Sequence, residues 1–366
     1  MAKYNIAVME GDGIGPEIVK ETMKVLRLAE GLFEGLVIDC HYFPVGLSSF
    51  NQYGSTLPDE TIAGLKQCDA GILGPLTTHA YNTNNPDMVN ASGRLRKQFD
   101  LYANVRPART FPGVSSRFEN VDLVIIRENT EGMYADRNLY YNTGEFMTDS
   151  DTVLSLRVVT RKGSERLAKV GLDLASARHK KLSIVHKKNV LRQGCGLFYD
   201  SCHQVGADYP NVYIDDYHVD AFAMHLVQKP EDFDVIVTTN MFGDILSDQA
   251  AGLIGGLGLA PGLNVGDSFL LAQATHGSAP DISGKNLANP ISEILSAKMM
   301  LEWLSIRNND QYALDAASLI ENGVEETLSR GFKTKDLGGN LSTEEFGDHL
   351  IEIIKEVKTN KENAIS

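Results

Sequence analysis

Short runs rich in Val, Ile and Leu alternate along this chain with amphipathic stretches of helical length. Apolar runs of about four to eight residues suit buried strands, and the stretches between them are long enough for helices. The pattern predicts strands at Tyr4 to Met9, Leu36 to Phe43, Ala70 to Leu73, Leu123 to Arg127, Leu154 to Thr160, Leu182 to His186, Val212 to Asp215 and Val235 to Thr238. Helices are predicted to start near Pro16, Pro58, Arg161, Gly194, Asp220, Gly243 and Pro290. Strand and helix in alternation imply an α/β fold with a mostly parallel sheet. Pro16 suits a first helical position, where the missing N–H would have had no intrahelical partner. Ser342, Thr343, Glu344 and Glu345 have the composition of a helix start, and the charged tail from Lys355 to Ser366 is expected to fray. From Thr77 to Gly93 the chain is polar and turn-rich, the mark of a surface loop or of a working one.

At 366 residues the chain is long enough for about two or three domains, and an apolar fraction of 43% is ordinary for a globular protein. The net charge of -14 argues against nucleic acid or an anionic membrane surface as partner, since both demand a basic footprint. An anionic small molecule would have to meet a local island of positive charge. The opening residues MAKYNIAVMEGDG lack the basic, apolar and small-residue succession of a secretory signal, and no apolar run approaches the ~18 residues that span a bilayer. A cytoplasmic location is therefore expected. Cys40, Cys68, Cys195 and Cys202 form no CxxC pair, which suggests reduced, packed thiols.

A positive island exists between Gly93 and Arg109, where Arg94, Arg96, Lys97, Arg106 and Arg109 stand against Asp100 alone. Arg96 and Arg106 bracket the apolar stretch Phe99 to Val105, and Arg127 closes a predicted strand. Guanidiniums at the ends of buried segments either aim inward as forks for carboxylates or form structural ion pairs. Farther on, FDVIVTTNMFGDILSD runs from a buried strand through a polar turn into a helix that carries Asp244 and Asp248 one turn apart. Two carboxylates on one helix face suit a hard divalent cation; the plainer alternative is a pair of first-turn acids complementing the helix dipole. Near the N-terminus GDGIGPE follows a strand as a phosphate-cradling turn would, with Asp39 as ribose acceptor. Its spacing is GxGxG followed by Pro16 rather than GxGxxG, so the standard dinucleotide fingerprint is not met.

Six ordered segments, GDGIGPE, LRKQFDLYANVRP, RENTEGMY, VHKKN, NMFGDILSD and HGSAPDISGKNLANP, together resemble the β-decarboxylating dehydrogenases, which act on isocitrate, homoisocitrate, 3-isopropylmalate and tartrate or D-malate. The resemblance runs from Ile6 to at least Leu304 and looks closest to the NAD-dependent isocitrate and homoisocitrate enzymes. It implies the two-domain isopropylmalate/isocitrate dehydrogenase-like fold, with a mostly parallel sheet in the large domain, and not a standard Rossmann domain. Residues 1–104 plus 257–366 would form a large discontinuous domain carrying the NAD site, and residues 105–256 a small domain carrying metal ligands and the dimer interface. A homodimer with shared active sites, or a higher oligomer, is implied as well.

Residue by residue, Arg96, Arg106 and Arg127 fall where the family clamps substrate carboxylates, Tyr134 and Lys187 at its catalytic positions, and Asp220, Asp244 and Asp248 where it binds Mg²⁺ or Mn²⁺. Lys187 and Asp220 would reach the site from the other subunit. A tyrosine with an ordinary pKa near ~10 needs a neighbouring cation to exchange its proton near neutrality, which is the physical case for pairing Tyr134 with Lys187. HGSAPDISGKNLANP resembles the family's adenosine-binding loop. His276, Gly277, Ser278, Ala279, Asp281, Ile282 and Asn289 are thus expected to line the cofactor cleft, with Ile14 in the glycine-rich turn and Thr77 and Thr78 on the nicotinamide side. Asp281 would accept ribose hydroxyls and repel a 2′-phosphate, which implies NAD as cofactor.

Val89 to Arg94 falls where the family recognises the group that distinguishes its substrates. It offers Asn90 and Ser92, the pair found in isocitrate enzymes but in reversed order, and it lacks the leucines and glutamate that receive an isopropyl group. Asn189 is a further expected substrate contact, and Arg94 would either read a distal carboxylate or point to solvent. The implied reaction is oxidative decarboxylation of a small anionic (2R)-2-hydroxy acid with a β-carboxylate. Isocitrate comes first, homoisocitrate or tartrate/D-malate second, and isopropylmalate behind them. The alternative of another class is a non-catalytic regulatory subunit of this fold, against which Tyr134, Lys187 and the three aspartates speak.

Overall fold

A computed structural model describes residues 2–82, 84–133 and 144–365. Strand β1 (Ala2–Met9) leads through the glycine-rich turn into helix α1 (Gly15–Leu32), followed by β2 (Leu36–Tyr42), α2 (Gly46–Tyr53), α3 (Asp59–Leu65) and β3 (Ala70–Leu73). A short 3-10 turn at Thr78–Ala80 precedes α4 (Ala91–Gln98), β4 (Ala103–Arg109) and β5 (Asp122–Glu128). The hairpin of β6 (Glu145–Asp149) and β7 (Thr152–Ser155) stands apart from the main sheet. Then come α5 (Arg161–Ala177), β8 (Lys181–His186), α6 (Gly194–Gly206), β9 (Tyr213–His218), α7 (Val219–Gln228), β10 (Val235–Thr238) and α8 (Asn240–Ile254). β11 (Leu263–Val265), β12 (Leu270–Ala272), α9 (Ile291–Asn308), α10 (Gln311–Ser329) and α11 (Thr343–Ile365) complete the described residues.

Ten strands form one sheet in the order β2-β1-β3-β12-β11-β4-β5-β10-β8-β9. Pairing is parallel toward both edges and antiparallel at the centre, where β11 pairs with β12 and β4, and β4 with β5. The expected α/β fold with a mostly parallel sheet is therefore present, with a reversal of strand direction in the middle. Parallel strands bury both faces, which is why β3 and β10 read as unbroken apolar runs.

The helices fix which face is which. Gly171 of α5 lies against Val237 so closely that a Cβ would run into it, and Gly243 of α8 lies equally close to the Cβ of Arg127. Thr238 pairs with Arg127, and side chains alternate along a strand, so Val237 and Arg127 point to opposite faces. α5 and α8 thus cover opposite sides of the sheet, and the Arg127 side is where the charged residues gather. At the other end of the molecule α9 is buried nearly all round, between α1, α10 and β12.

Several elements depart from the apolar pattern, each for a local reason. The strand expected from Leu154 to Thr160 ends at Ser155; Val158 makes only an isolated bridge to Gly132, and the hydroxyl of Thr160 accepts from Gly163 N–H at 3.0 Å to cap α5. β4 carries Asn104, Arg106 and Pro107 and so breaks the apolar run. Proline is tolerated there because β11 covers only Ala103 to Val105, and beyond that β4 has no ladder on that side. α8 begins at Asn240, a turn before Gly243. The tail does not fray: α11 continues to Ile365, with Lys355 bound to Glu352 at 2.7 Å, the Thr359 hydroxyl donating to the Lys355 carbonyl at 3.0 Å and the Lys358 ammonium 4.0 Å from the Phe33 ring. All four cysteines are free thiols, and among the described residues no helix is long and apolar enough to cross a membrane.

Candidate active site

The central face of the sheet holds two buried arginines side by side. Arg127 closes β5, and its Nε and Nη2 donate to Asn240 Oδ1 at 3.1 and 2.8 Å while Nη1 pairs with Asp244. Arg106, on β4, donates from Nη1 to Ser247 Oγ at 2.7 Å and lies 3.3 Å from Asp244 and 3.6 Å from Asp248. Its Nε donates to Asn104, which donates in turn to Asn264 at 2.9 Å; Asn129 donates to the same Asn264 oxygen at 2.9 Å. Asn104 and Asn240, both buried, hold the Arg106 and Arg127 guanidiniums before any ligand arrives. Burial, and then the like charge of Arg127, bring the Arg106 guanidinium down to about 10. Asp248 stands at the rim, where partial desolvation and Asp244 push its carboxyl above the usual range against the pull of Arg106.

A cleft of about 260 Å³ opens beside them. Its walls include Thr78, Asn90, Ser92, Arg96, Arg106, Arg127, Asp244, His276 and Gly277, so most of the residues singled out for substrate converge there. Asn90 is the N-cap of α4, its side chain accepting from Gly93 N–H at 3.1 Å, and Ser92 follows within the first turn. Arg94 points to solvent on the exposed side of α4, outside the cleft, and Asn189 is likewise exposed and lines no part of it. Arg109 leaves the island altogether, paired with Glu321 at 3.2 Å and Glu325 at 2.6 Å of α10. It belongs to a second cavity of about 330 Å³ on the opposite face of the sheet, whose cations are all matched with acids and which holds none of the other expected site residues.

The glycine-rich turn and the loop after β12 form a second feature beside the cleft. Ile14 N–H donates to Ser278 O at 2.9 Å, Ser283 Oγ to Gly13 O at 2.8 Å, and Thr77 Oγ1 to Ser278 Oγ at 2.7 Å. Gly13 has a φ of 60°, and a Cβ there would run into the Ser278 carbonyl, so glycine is required by the approach of two backbones. Asp12 is spent on structure: its carboxylate accepts from Leu47 N–H at 2.6 Å, Thr77 N–H at 2.9 Å and Tyr81 OH at 3.0 Å. Ala279 sits at φ 38°, a left-handed conformation that costs a non-glycine residue about 1 kcal/mol and tends to occur at ligand sites. Asp281 is exposed and Ile282 half-buried on this loop, and Asn289 donates to Asp336 at 3.0 Å. His276 donates through Nδ1–H to Gly277 O at 3.0 Å; its Nε2 is buried without a hydrogen-bond partner among the described residues, and burial lowers the pKa of the ring.

Lys187 and Asp220 meet elsewhere. Lys187 follows β8, Asp220 lies in the first turn of α7, and their side chains form an ion pair that holds the Asp220 carboxyl below its usual range. Neither lines the cleft, and among the described residues no three potential ligands gather as a metal cluster. Asp244 and Asp248 thus come together in one chain, and Asp220 stays apart from them. Tyr134 lies outside the described residues. The preceding segment is described, and it is a hub: Glu128 accepts from Thr130 N–H and Oγ1 and from Glu131 N–H at 2.7 to 2.8 Å, and Glu131, pushed up to about 6 by burial, accepts from Thr160 N–H and Oγ1 at 2.9 and 2.8 Å.

Sequence reasoning passed over Gln273, Asn104, Asn240, Ser247 and Asp336. Asn240 and Ser247 were within its reach, because they share a helical face with Asp244. Gln273 carries no local signal beyond standing three residues before His276.

The sequence profile described as isocitrate/isopropylmalate dehydrogenase matches residues 5–350. An isocitrate/homoisocitrate dehydrogenase of Thermus thermophilus is 43% identical over 353 residues, 96% of this chain and 99% of its own length. A 3-isopropylmalate dehydrogenase of Archaeoglobus fulgidus is 40% identical over 95% of this chain and 99% of its own. Among solved structures, the isocitrate dehydrogenase of Methylococcus capsulatus superimposes with a TM-score of 0.85 at 39% identity, covering 96% of this chain and 99% of that one. Likeness of this extent, in sequence and in three dimensions, leaves one conclusion: the chain belongs to the isocitrate/isopropylmalate dehydrogenase family, enzymes that oxidise a hydroxy acid and remove CO₂ from it.

Proposed function

We propose that the protein is an NAD- and divalent-metal-dependent enzyme that converts isocitrate to 2-oxoglutarate. The observation that carries this reading is the make-up of the cleft, with Ser92, Arg96 and Gln273 among its walls and Arg106 and Arg127 beside them. Such walls answer carboxylates and hydroxyls. A branched alkyl substituent would strand them without partners, a larger penalty than a missing methylene in an apolar pocket, so isopropylmalate fits less well. Homoisocitrate, longer by a methylene, is the second reading, favoured by the names of the Thermus thermophilus relative and of a 41% identical homoisocitrate dehydrogenase from Methanocaldococcus jannaschii.

In this reading Arg96, Arg106 and Arg127 clamp the substrate carboxylates and orient the reacting C–H bond. Lys187, delivered by a second copy of the chain together with Asp220, relays the hydroxyl proton, and Tyr134 gives a proton to the carbon that loses CO₂. Asp244 and Asp248, completed by the second copy's carboxylate, would be an all-oxygen set suited to Mg²⁺ or Mn²⁺. A cation held there would supply Lewis acidity, first to the substrate hydroxyl as hydride leaves for NAD and then to the negative charge left when CO₂ departs. The orphaned, buried Nε2 of His276 and the exposed Asp281 on a loop stitched to the glycine-rich turn fit a dinucleotide. Division into a cofactor unit, residues 1–104 plus 257–366, and a metal-binding unit, residues 105–256, is supported by the walls of the cleft, which come from both: Ser92, Arg96 and Gln273 from the first, Arg106, Arg127 and Asp244 from the second.

Turnover of purified protein with Mn²⁺ and either NAD or NADP, across isocitrate, homoisocitrate, isopropylmalate, D-malate and tartrate, tests the reading. NAD-linked turnover is expected to be fastest with isocitrate. Preference for isopropylmalate, or turnover with none of the acids, would overturn it. Exchanging Asp281→Lys with Ile282→Tyr should erode the NAD preference.

A further inference from the structure

We infer that Gln273 is a specificity-determining residue of this cleft, donating a hydrogen bond from its side-chain amide to the distal carboxylate that distinguishes one 2-hydroxy acid from another. The inference rests on the cleft at Arg106 and Arg127 being the substrate site.

Gln273 immediately follows β12 and lines the cleft. Its Oε1 accepts from Ser92 Oγ at 3.1 Å and, at the long limit of a hydrogen bond, from Arg96 Nη2 at 3.5 Å. An arginine carries donors only, so the amide oxygen must be the atom that faces it. The two N–H donors of the same planar amide are then the atoms that Gln273 can offer to a ligand in the cleft it lines. Gln273 also joins the residue that sequence reasoning assigned to the distinguishing group, Ser92, to an arginine of the clamp, so its amide stands where that group and the clamp meet.

The backbone around it is fixed residue by residue. Gln273 N–H donates to Gly262 O at 3.0 Å, Ala274 N–H to Glu293 Oε2 at 2.7 Å, and Thr275 Oγ1 to Ala260 O at 2.9 Å. Glu293 is fully buried on α9. A side chain launched from a segment held at three successive residues keeps its direction, and a fixed donor discriminates better than a mobile one. A distal carboxylate would accept from the amide. A methyl-bearing substituent would bury the same N–H without a partner, and the absence of any substituent would leave it to water.

The test uses the full-length protein with Mg²⁺ or Mn²⁺ and NAD, comparing wild type with Q273E and Q273M. Q273E replaces the donor by a carboxylate oxygen of the same shape, and Q273M removes it at similar volume. Both variants should lower kcat/KM for isocitrate about tenfold or more relative to D-malate, which has no distal group, and mainly through KM. Q273M should also shift the ratio toward isopropylmalate. The ratio of calorimetric dissociation constants for isocitrate and D-malate reads the same effect without turnover, so a protein that binds isocitrate but fails to turn it over would defeat the proposed reaction and still report on Gln273. An equal loss for all acids in both variants would assign Gln273 a merely structural role and overturn the inference, as would wild type binding isocitrate no better than D-malate. Where either variant melts early, Gln273→Asn, which keeps the amide but withdraws it by one methylene, supplies the same ratio.

Discussion

The Arg106–Arg127 wall and the Lys187–Asp220 pair hold their charges in opposite ways. The arginine side chains are 8% and 4% exposed and are locked by Asn104, Asn240 and Ser247, whereas Lys187 is 25% and Asp220 68% exposed at the ends of β8 and α7. A buried guanidinium must be paired and hydrogen-bonded or it destabilises the fold, so the first region is bound up with folding itself. An exposed ion pair is screened and contributes little to folding, so the second region is free to answer to function alone. The contrast suits a site whose anion clamp is built by one chain and whose proton-handling groups are lent by another.

The largest effect that separates the two regions is expected from Lys187→Met. It should lower kcat by about 10²- to 10⁴-fold, the usual worth of a proton-transfer group, while melting temperature stays at the wild-type value. A melting shift comparable to that of an arginine variant would erase the contrast. Next, inactive Lys187→Met and Asp244→Asn chains, unfolded together and refolded, should recover about a quarter of wild-type activity, because half the dimers are mixed and each of those has one intact shared site. No recovery would mean that each chain completes its own site. Arg127→Met should damage both properties: a turnover loss of at least about a hundredfold, and about 2–3 kcal/mol of unfolding free energy by denaturant titration, since Asp244 and Asn240 lose their partner.

The smallest effect concerns the wall behind Gln273. Burial pushes the Glu293 carboxyl up to about 8, far above its value in an unfolded chain. The native state therefore holds a proton that the unfolded state releases above about pH 4.5, and stability falls as pH rises from there through about 8. Glu293→Gln cannot ionise, so its denaturation midpoint should decline less over that window than the wild-type midpoint. Parallel declines would show that the carboxyl titrates alike in the folded and unfolded chain.

Much of this was legible because burial writes itself into apolar runs. β1, β3, β5, β8 and β10 stand where Val, Ile and Leu cluster, and α1, α5 and α6 begin where proline, a threonine cap or glycine marks a start. β4 was hidden because the residues that make it useful, Asn104 and Arg106, are polar and inward-facing, and their partners Asn264 and Ser247 lie more than a hundred residues away. The short strands β11 and β12, three residues each, are too brief for a periodic signal, whereas α10 carries a helical stripe of Ala313, Ala316, Ala317, Ile320, Val324 and Leu328 that was open to the same reasoning. At the site, arginines and aspartates announced themselves by type and spacing, whereas Gln273 acquires meaning only from Ser92, which is 181 positions distant in sequence. Arg94 shows the converse: a residue type suited to substrate, carried on the exposed side of α4.

The stitch between Gly13 and Ser283 has a consequence for how this chain is made. The two residues are 270 positions apart. At about 5–20 residues per second, a ribosome would deliver the second between roughly ten seconds and a minute after the first. Within that interval β3 waits for β12, which is its neighbour on the side away from β1, so the nascent sheet carries an open parallel edge with no later strand yet available to close it. Synthesis of the loop after β12 is thus the moment at which the emerging polypeptide gains a continuous sheet and a finished glycine-rich turn together, and until then its dependence on chaperones should be greatest.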